Sequence, residues 1–238
     1  MGLYGGLQPE DWRRWGQFTT YKQNAPELLR KQLRPGQVIY CSPLVDPYQP
    51  AEATEFAMPA ILRELIAKPP ARFVLQTRSP LCVRDVDLFA ELSALTEVRV
   101  SFSLTTDLES VRKLYEPHCE SLQERLDAIA RLRGAGLKVH ATLAPMLPSN
   151  PEVLARLACE ATERDLIGDP FHVRATKRHG ATTREAAFRI AEHHAGHAEW
   201  FEPEFQQRAM ERMSAVATKE FGRRFLAGPE GFRLLTVS

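Results

Sequence analysis

Short runs rich in Val, Ile, Leu and Phe recur along the chain, each followed by a polar turn and a longer helical stretch, and this alternation restricts the fold more than any other feature. Strands joined by helices in this way predict a parallel sheet with right-handed crossovers. Such a sheet is either doubly wound or curled into a barrel, and both architectures bind ligands at the carboxyl ends of their strands. The polar residues just beyond each strand are therefore the candidates for function: Ser42, Asp46, Thr77, Arg78, Ser103, Thr105 and Thr106.

The first apolar run is Gln37 to Ser42, leading through Asp46-Pro47-Tyr48-Gln49-Pro50 to a helix from about Glu55 to Ala67 that Pro69-Pro70 ends. Arg72 to Thr77 is the second strand, followed by a turn at Ser79-Pro80 and a helix from about Val86 to Leu95. Val98 to Leu104 is the third, followed by a helix from Ser121 to Arg133 whose Leu122, Leu126, Ile129 and Leu132 share a face and which Gly134-Ala135-Gly136 closes. Leu137 to Leu143 is the fourth, running into Ala144-Pro145 and a helix from Pro151 to Glu163, and Pro170 to Arg174 is read as a fifth. From about Thr182 onward the pattern is helical and charged, with no further clear strand. Near the start, Asn24-Ala25-Pro26-Glu27 opens a helix that reaches Leu33 and has no good strand before it. The expected organisation is an incomplete barrel over residues 1–178 with a helical extension packed on it over residues 179–238.

A chain of 238 residues with a formal charge of +1 has no chain-wide basic field, so composition gives no support to a nucleic-acid partner. No apolar run approaches the roughly 20 residues needed to cross a bilayer, and no leader pattern opens the chain, so a cytoplasmic protein is expected. Four cysteines, Cys41, Cys82, Cys119 and Cys159, stand on successive elements with no CxxC pair, which fits separate reduced thiols. His193 and His197, with His194 between them, stand one helical turn apart, but no HExxH accompanies them and a solvated face is the default reading.

Several post-strand segments taken together resemble the radical S-adenosylmethionine enzymes, in particular the subgroup similar to spore photoproduct lyase. The resemblance runs from about Trp15 to Pro148 and rests on Lys22 to Leu29, Asp46 to Glu52, Thr77-Arg78-Ser79, Arg84-Asp85, Glu116-Pro117 with Arg125, and Ala144-Pro145 in that order. It implies a partial (β/α) barrel that holds S-adenosylmethionine across the carboxyl ends of the strands beside a 4Fe-4S cluster. An electron from the cluster, supplied by a flavodoxin or ferredoxin, would split the sulfonium and give a radical that abstracts hydrogen from a substrate. By the same resemblance Arg78 and Ser103 would meet the S-adenosylmethionine carboxylate and Ala144 would lie against the adenosine; Asp46, Tyr48, Gln49 and Glu52, on the loop after the Gln37 to Ser42 run, are also expected cofactor contacts, with shaping of that loop as the alternative. Val45 departs from the pattern, which has a hydroxyl there. Glu116 and Arg125 are read as a structural ion pair. Cys41 is displaced from the position of the family's hydrogen-donating cysteine and is read as an inert thiol.

The resemblance also implies three cysteines in a CxxxCxxC loop as cluster ligands, since soft thiolates suit iron-sulfur chemistry. This sequence contains no CxxxCxxC. The expectation is a chain whose first strand and cluster loop lie upstream of Met1, with a truncated or mis-started reading frame as the cause. The alternative is a cluster-free pseudoenzyme or nucleoside-binding scaffold. An ordinary barrel lyase or aldolase is a third reading, weakened because Arg78 stands where a base would be needed and stays protonated.

Overall fold

A computed structural model describes residues 19, 22–41, 45–170 and 197–237. Six strands form one sheet in sequence order, β1 (Val38–Cys41), β2 (Arg72–Thr77), β3 (Glu97–Ser103), β4 (Lys138–Leu143), β5 (Leu166–Gly168) and β6 (Phe225–Ala227). Every adjacent pair is parallel, with Phe73 opposite Val98, Val100 opposite Val139 and Thr142 opposite Ile167. Helices connect and flank them: α1 (Ala25–Gln32), α2 (Glu52–Glu55), α3 (Ala57–Ala67), α4 (Val86–Ser93), α5 (Glu109–Tyr115), α6 (Leu122–Gly134), α7 (Pro151–Thr162), α8 (Pro203–Phe221) and α9 (Gly228–Thr236). The chain is a partial (β/α) barrel.

Local chemistry sets the element ends. Ser121 and Glu124 close a reciprocal capping box on α6, and Gly136, with φ 82°, takes the left-handed conformation just beyond it. Pro151 occupies the first turn of α7, where its missing N–H costs nothing.

Side chains alternate across a strand, so each strand has an outer and an inner row. The outer row, including Phe73, Leu75, Val98, Val100, Phe102, Val139, Ala141 and Leu143, packs into one core with Leu62, Phe89, Ile129, Leu154 and Met213 from the surrounding helices. The inner row is different. Gln76, Ser101, His140 and Thr142 stand among Val74 and Ile167, and the Tyr40 hydroxyl donates to Gln76 Oε1 at 2.6 Å. A parallel sheet covered by apolar layers on both faces reads as continuous hydrophobic runs; polar alternation marks a barrel interior built for water or ligand.

The fifth strand lies at Leu166–Gly168, ahead of the expected Pro170 to Arg174, of which residues 171–174 fall outside the described residues. The reading of everything after Thr182 as strand-free is also corrected, because Phe225–Ala227 pairs with β5 as a sixth strand. Both strands are three residues long, too short for a periodic signal. Their packing is close: the Phe225 ring lies against the Cα of Gly168, where a Cβ would overlap it. The last helix, α9, then covers the amino end of the inner face. Leu235 joins Val74 and Ile167 in a small apolar cluster, and the carbonyls of its last turn accept from Arg72 (to Thr236, 2.6 Å) and Arg99 (to Leu234). Guanidiniums at a helix carboxyl terminus offset its dipole.

Candidate functional site

Because β1 to β4 run parallel and adjacent, the residues that follow them gather along one rim. Asp46 follows β1, Arg78 follows β2, Ser103 ends β3 and Ala144 follows β4. The topology therefore brings the expected ligand residues to one mouth. Ser42 lies outside the described residues.

Asp46 organises the rim. Its Oδ1 accepts from the Tyr48 backbone N–H at 2.9 Å and from the Thr77 hydroxyl at 2.8 Å, and its Oδ2 accepts from the Arg78 backbone N–H at 2.8 Å. Those bonds tie the loop after β1 to the end of β2. Tyr48 is 1% exposed, and its hydroxyl donates to Asp85 Oδ2 at 2.9 Å. Gln49 is half-buried, and its Oε1 accepts from the Thr19 hydroxyl at 3.0 Å.

Glu52 is fully buried. Its carboxylate accepts from the backbone N–H groups of Ala57 (3.2 Å) and Met58 (2.9 Å), which open α3, and from Arg84 Nη2 at 2.9 Å. It thereby satisfies donors that a helix start leaves without intrahelical partners. Arg84 also pairs with Asp85 at 2.8 Å and lies 4.7 Å from the ring centroid of Phe56, a residue held at φ 50° between α2 and α3. Tyr48, Glu52, Arg84 and Asp85 are thus the interior frame of the rim, with their polar atoms spent on one another.

Arg78 is the cation of the mouth. Its side chain is 32% exposed, and its guanidinium meets Glu116. Glu116 simultaneously binds Arg125 Nη2 at 2.6 Å, with both of those side chains buried. Burial alone would raise the Glu116 carboxyl, but the charges of Arg78 and Arg125 outweigh it and hold the group below the usual carboxylate range. Two guanidiniums therefore share the Glu116 carboxylate, Asp46 adds a further negative charge near Arg78, and the exposed part of the Arg78 side chain is what is open to a ligand. The Glu116–Arg125 pair expected from the sequence is present.

Ser103 is 2% exposed at the end of the inner row of β3. Ala144 precedes a cis peptide to Pro145, and the segment after it is pinned by Met146 N–H to the Asp169 carbonyl and Leu147 N–H to the Thr105 carbonyl, both at 3.0 Å. Val45 is exposed, consistent with a position that offers no hydroxyl to the rim. The rim residues that sequence reasoning passed over are Glu120 and Thr142, and Asp85, quoted only as part of the resemblance, was given no role. Asp85 and Glu120 accept from Tyr48 and Ser79, and Thr142 shares a hydrogen bond with Ser101.

The cysteines do not fit an iron-sulfur cluster. Cys41 ends β1, Cys82 lies in the 3-10 turn after β2, Cys119 precedes α6 and Cys159 is on α7, and all four are free thiols. Burial, then the charges of Asp46 and Glu52, push Cys41 up to about 12, and burial raises the other three as well. Protonated, separated thiols are poor ligands. Among the described residues no group of three or more His, Cys, Asp or Glu side chains is placed to hold a metal ion. His193 and His194 lie outside the described residues.

Among solved structures, a cysteine-to-serine mutant of spore photoproduct lyase superposes with a TM-score of 0.52 at 15% sequence identity, covering 86% of this chain and 64% of that one. The fold is similar to that of spore photoproduct lyase. A cysteine-to-alanine mutant of that enzyme with dinucleoside spore photoproduct gives a TM-score of 0.51 at 14% identity over 85% of this chain and 64% of that one. Among curated proteins, an uncharacterized protein of Methanocaldococcus jannaschii is 30% identical over 135 residues, which is 57% of this chain and 50% of that protein. Uncharacterized proteins of Acidianus two-tailed virus (29% identity, 58% of this chain, 45% of that one) and Mycobacterium bovis (34%, 53% and 38%) also match. The chain spans half or less of the length of these relatives. No family model matches it.

No described helix is long and apolar enough to cross a membrane.

Proposed function

We propose that residues 1–238 form the S-adenosylmethionine-binding part of a radical S-adenosylmethionine protein similar to spore photoproduct lyase. The observation that supports this best is the rim itself: a partly exposed Arg78 that shares Glu116 with Arg125, on the same rim as Asp46, Ser103 and Ala144, above a polar inner face. Arg78 would bind the ligand's carboxylate, Ser103 would add a hydroxyl donor, and the Ala144 backbone would lie along the adenosine. Asp46 keeps the Arg78 backbone in place. Tyr48, Gln49 and Glu52 act one step back, as the frame that aims the loop.

In the whole protein the reaction would be reductive cleavage of S-adenosylmethionine followed by hydrogen abstraction from a substrate. A 4Fe-4S cluster would supply the electron. This chain's cysteines do not fit that cluster, so its ligands would have to come from outside residues 1–238. That same misfit favours the second reading, a cluster-free protein that binds a nucleoside ligand without redox chemistry.

Both readings place a nucleoside-containing ligand at this rim. Titrating the iron-free chain with S-adenosylmethionine by calorimetry should show one saturable site, weakened about tenfold or more by Arg78→Ala, the usual loss for a charge-assisted hydrogen bond. A flat titration would remove the mouth as a ligand site. Saturable binding insensitive to Arg78→Ala would remove Arg78 from it. Iron and labile sulfide in protein purified from its own cells, with peptides carrying CxxxCxxC, would separate the radical enzyme from the cluster-free reading.

A further inference from the structure

The opposite rim of the sheet carries a second feature that the mouth does not use. A cleft of about 260 Å³ opens at the amino ends of β3 to β6, against the last turn of α9. Its cationic wall is Arg99, Lys138, Arg164 and Arg223, and its acidic wall is Glu97 and Asp165. The two carboxylates are already engaged. Glu97 pairs with Arg72 (2.6 Å), Arg99 (3.0 Å) and Lys138 (2.6 Å), and Asp165 pairs with Arg224 (2.7 Å), which does not line the cleft. Burial would raise Glu97, but its three cationic neighbours dominate and bring it to about 2, so it stays ionised.

Among the described residues the remaining cations have no carboxylate partner. The Arg223 guanidinium donates to the Glu163 carbonyl, and the Arg164 side chain has no hydrogen bond or ion pair there. His140 lines the same cleft, 6% exposed, with a buried Nδ1 that has no hydrogen-bond partner. An unpartnered buried ring nitrogen costs stability unless something arrives to meet it. Burial, with Arg164 and Arg99 adding to it and outweighing the carbonyl and carboxylate of Asp165, lowers the imidazole to about 4, so the ring is neutral.

We propose that this cleft binds a phosphate group, free or as the monoester of a small molecule, with Arg164 and Arg223 as its charge partners and His140 Nδ1 completing its hydrogen bonds. Tetrahedral oxyanions suit planar guanidinium forks, and a cleft of about 260 Å³ has room for one such group with an organic stem. A neutral imidazole can accept from the protonated oxygen of a phosphate or donate to a bare one, so it suits either. The site is on the face away from the mouth and does not depend on the reading given to the mouth.

The test is titration of the chain with inorganic phosphate, and separately with glycerol 3-phosphate, at constant ionic strength set by chloride. Imidazole resonances are followed by NMR. Saturable one-to-one binding is expected, with the His140 signals shifting most and its pKa rising as the dianion approaches. Arg164→Ala should weaken phosphate binding about tenfold or more while leaving S-adenosylmethionine binding unchanged. Arg164→Lys should recover part of the loss, which a merely structural arginine would not show. Tighter binding of glycerol 3-phosphate would assign the site to esters, and tighter inorganic phosphate to the free ion. Non-saturable shifts, or affinity unchanged in Arg164→Ala, would overturn the proposal.

Discussion

Replacing Glu116 by Ala is expected to destabilise the fold by about 3–5 kcal/mol, the usual cost of removing one partner from a buried ion pair. Arg125 is 2% exposed and would be left with one bond to the Glu120 carbonyl, at 3.1 Å, and no counter-charge. Arg78 would lose its carboxylate at the same time. Chemical denaturation at neutral pH reads the change as a fall in midpoint at unchanged slope. Glu116→Gln should fall between, since the amide keeps an acceptor oxygen but no charge. A loss under about 1 kcal/mol would mean that water reaches Arg125, as at exposed pairs.

A loss of about 3 kcal/mol is expected for Glu52→Ala, drawn from its bonds to Arg84 and to the two N–H groups that open α3. The change separates two roles for this residue. As part of the frame, Glu52 should lower stability strongly and S-adenosylmethionine affinity only as far as the loop loosens. As a direct ligand contact it would lower affinity and leave stability unmoved, and that result would contradict its burial at 0% exposure.

How much of this was legible in the sequence differs from element to element. β2 lies where Arg72 to Thr77 predicts it, and β3, β4, α6 and α7 fall within a residue or so of their expected bounds. Each has either a run of β-branched and aromatic residues or a clean helical stripe with a cap. β5 and β6 had neither: three residues cannot display a period, and their pairing is decided by Gly168 yielding to Phe225 across more than fifty intervening residues. α5 was passed over because Glu109–Tyr115 is short and its buried residues include Arg112, which reads as surface.

The site was legible in position but not in chemistry. Parallel topology puts post-strand residues on one rim, so Asp46, Arg78 and Ser103 could be placed from the pattern of strands alone, and Ala144 from the resemblance. Which of the neighbouring polar groups face a ligand could not, because Tyr48 and Glu52 turn inward to partners at Asp85 and Arg84, 37 and 32 residues on and across the fold. One signal was available and unused. The strand Val98-Arg99-Val100-Ser101-Phe102-Ser103 alternates apolar and polar residues, and Val139-His140-Ala141-Thr142 repeats it on the next strand. In a parallel sheet covered by helices on its outer face, that alternation marks the polar barrel interior and leads directly to Arg99 and His140.

The measurement that tests the central claim most directly is amide hydrogen exchange of the iron-free chain with and without S-adenosylmethionine, since protection maps a ligand onto segments. The account predicts slowed exchange in residues 46–52, 77–79, 103–106 and 144–148, at the carboxyl ends of adjacent strands, with the amino-end cleft unchanged. Protection confined to other segments, or none at ligand concentrations that saturate binding, would contradict it.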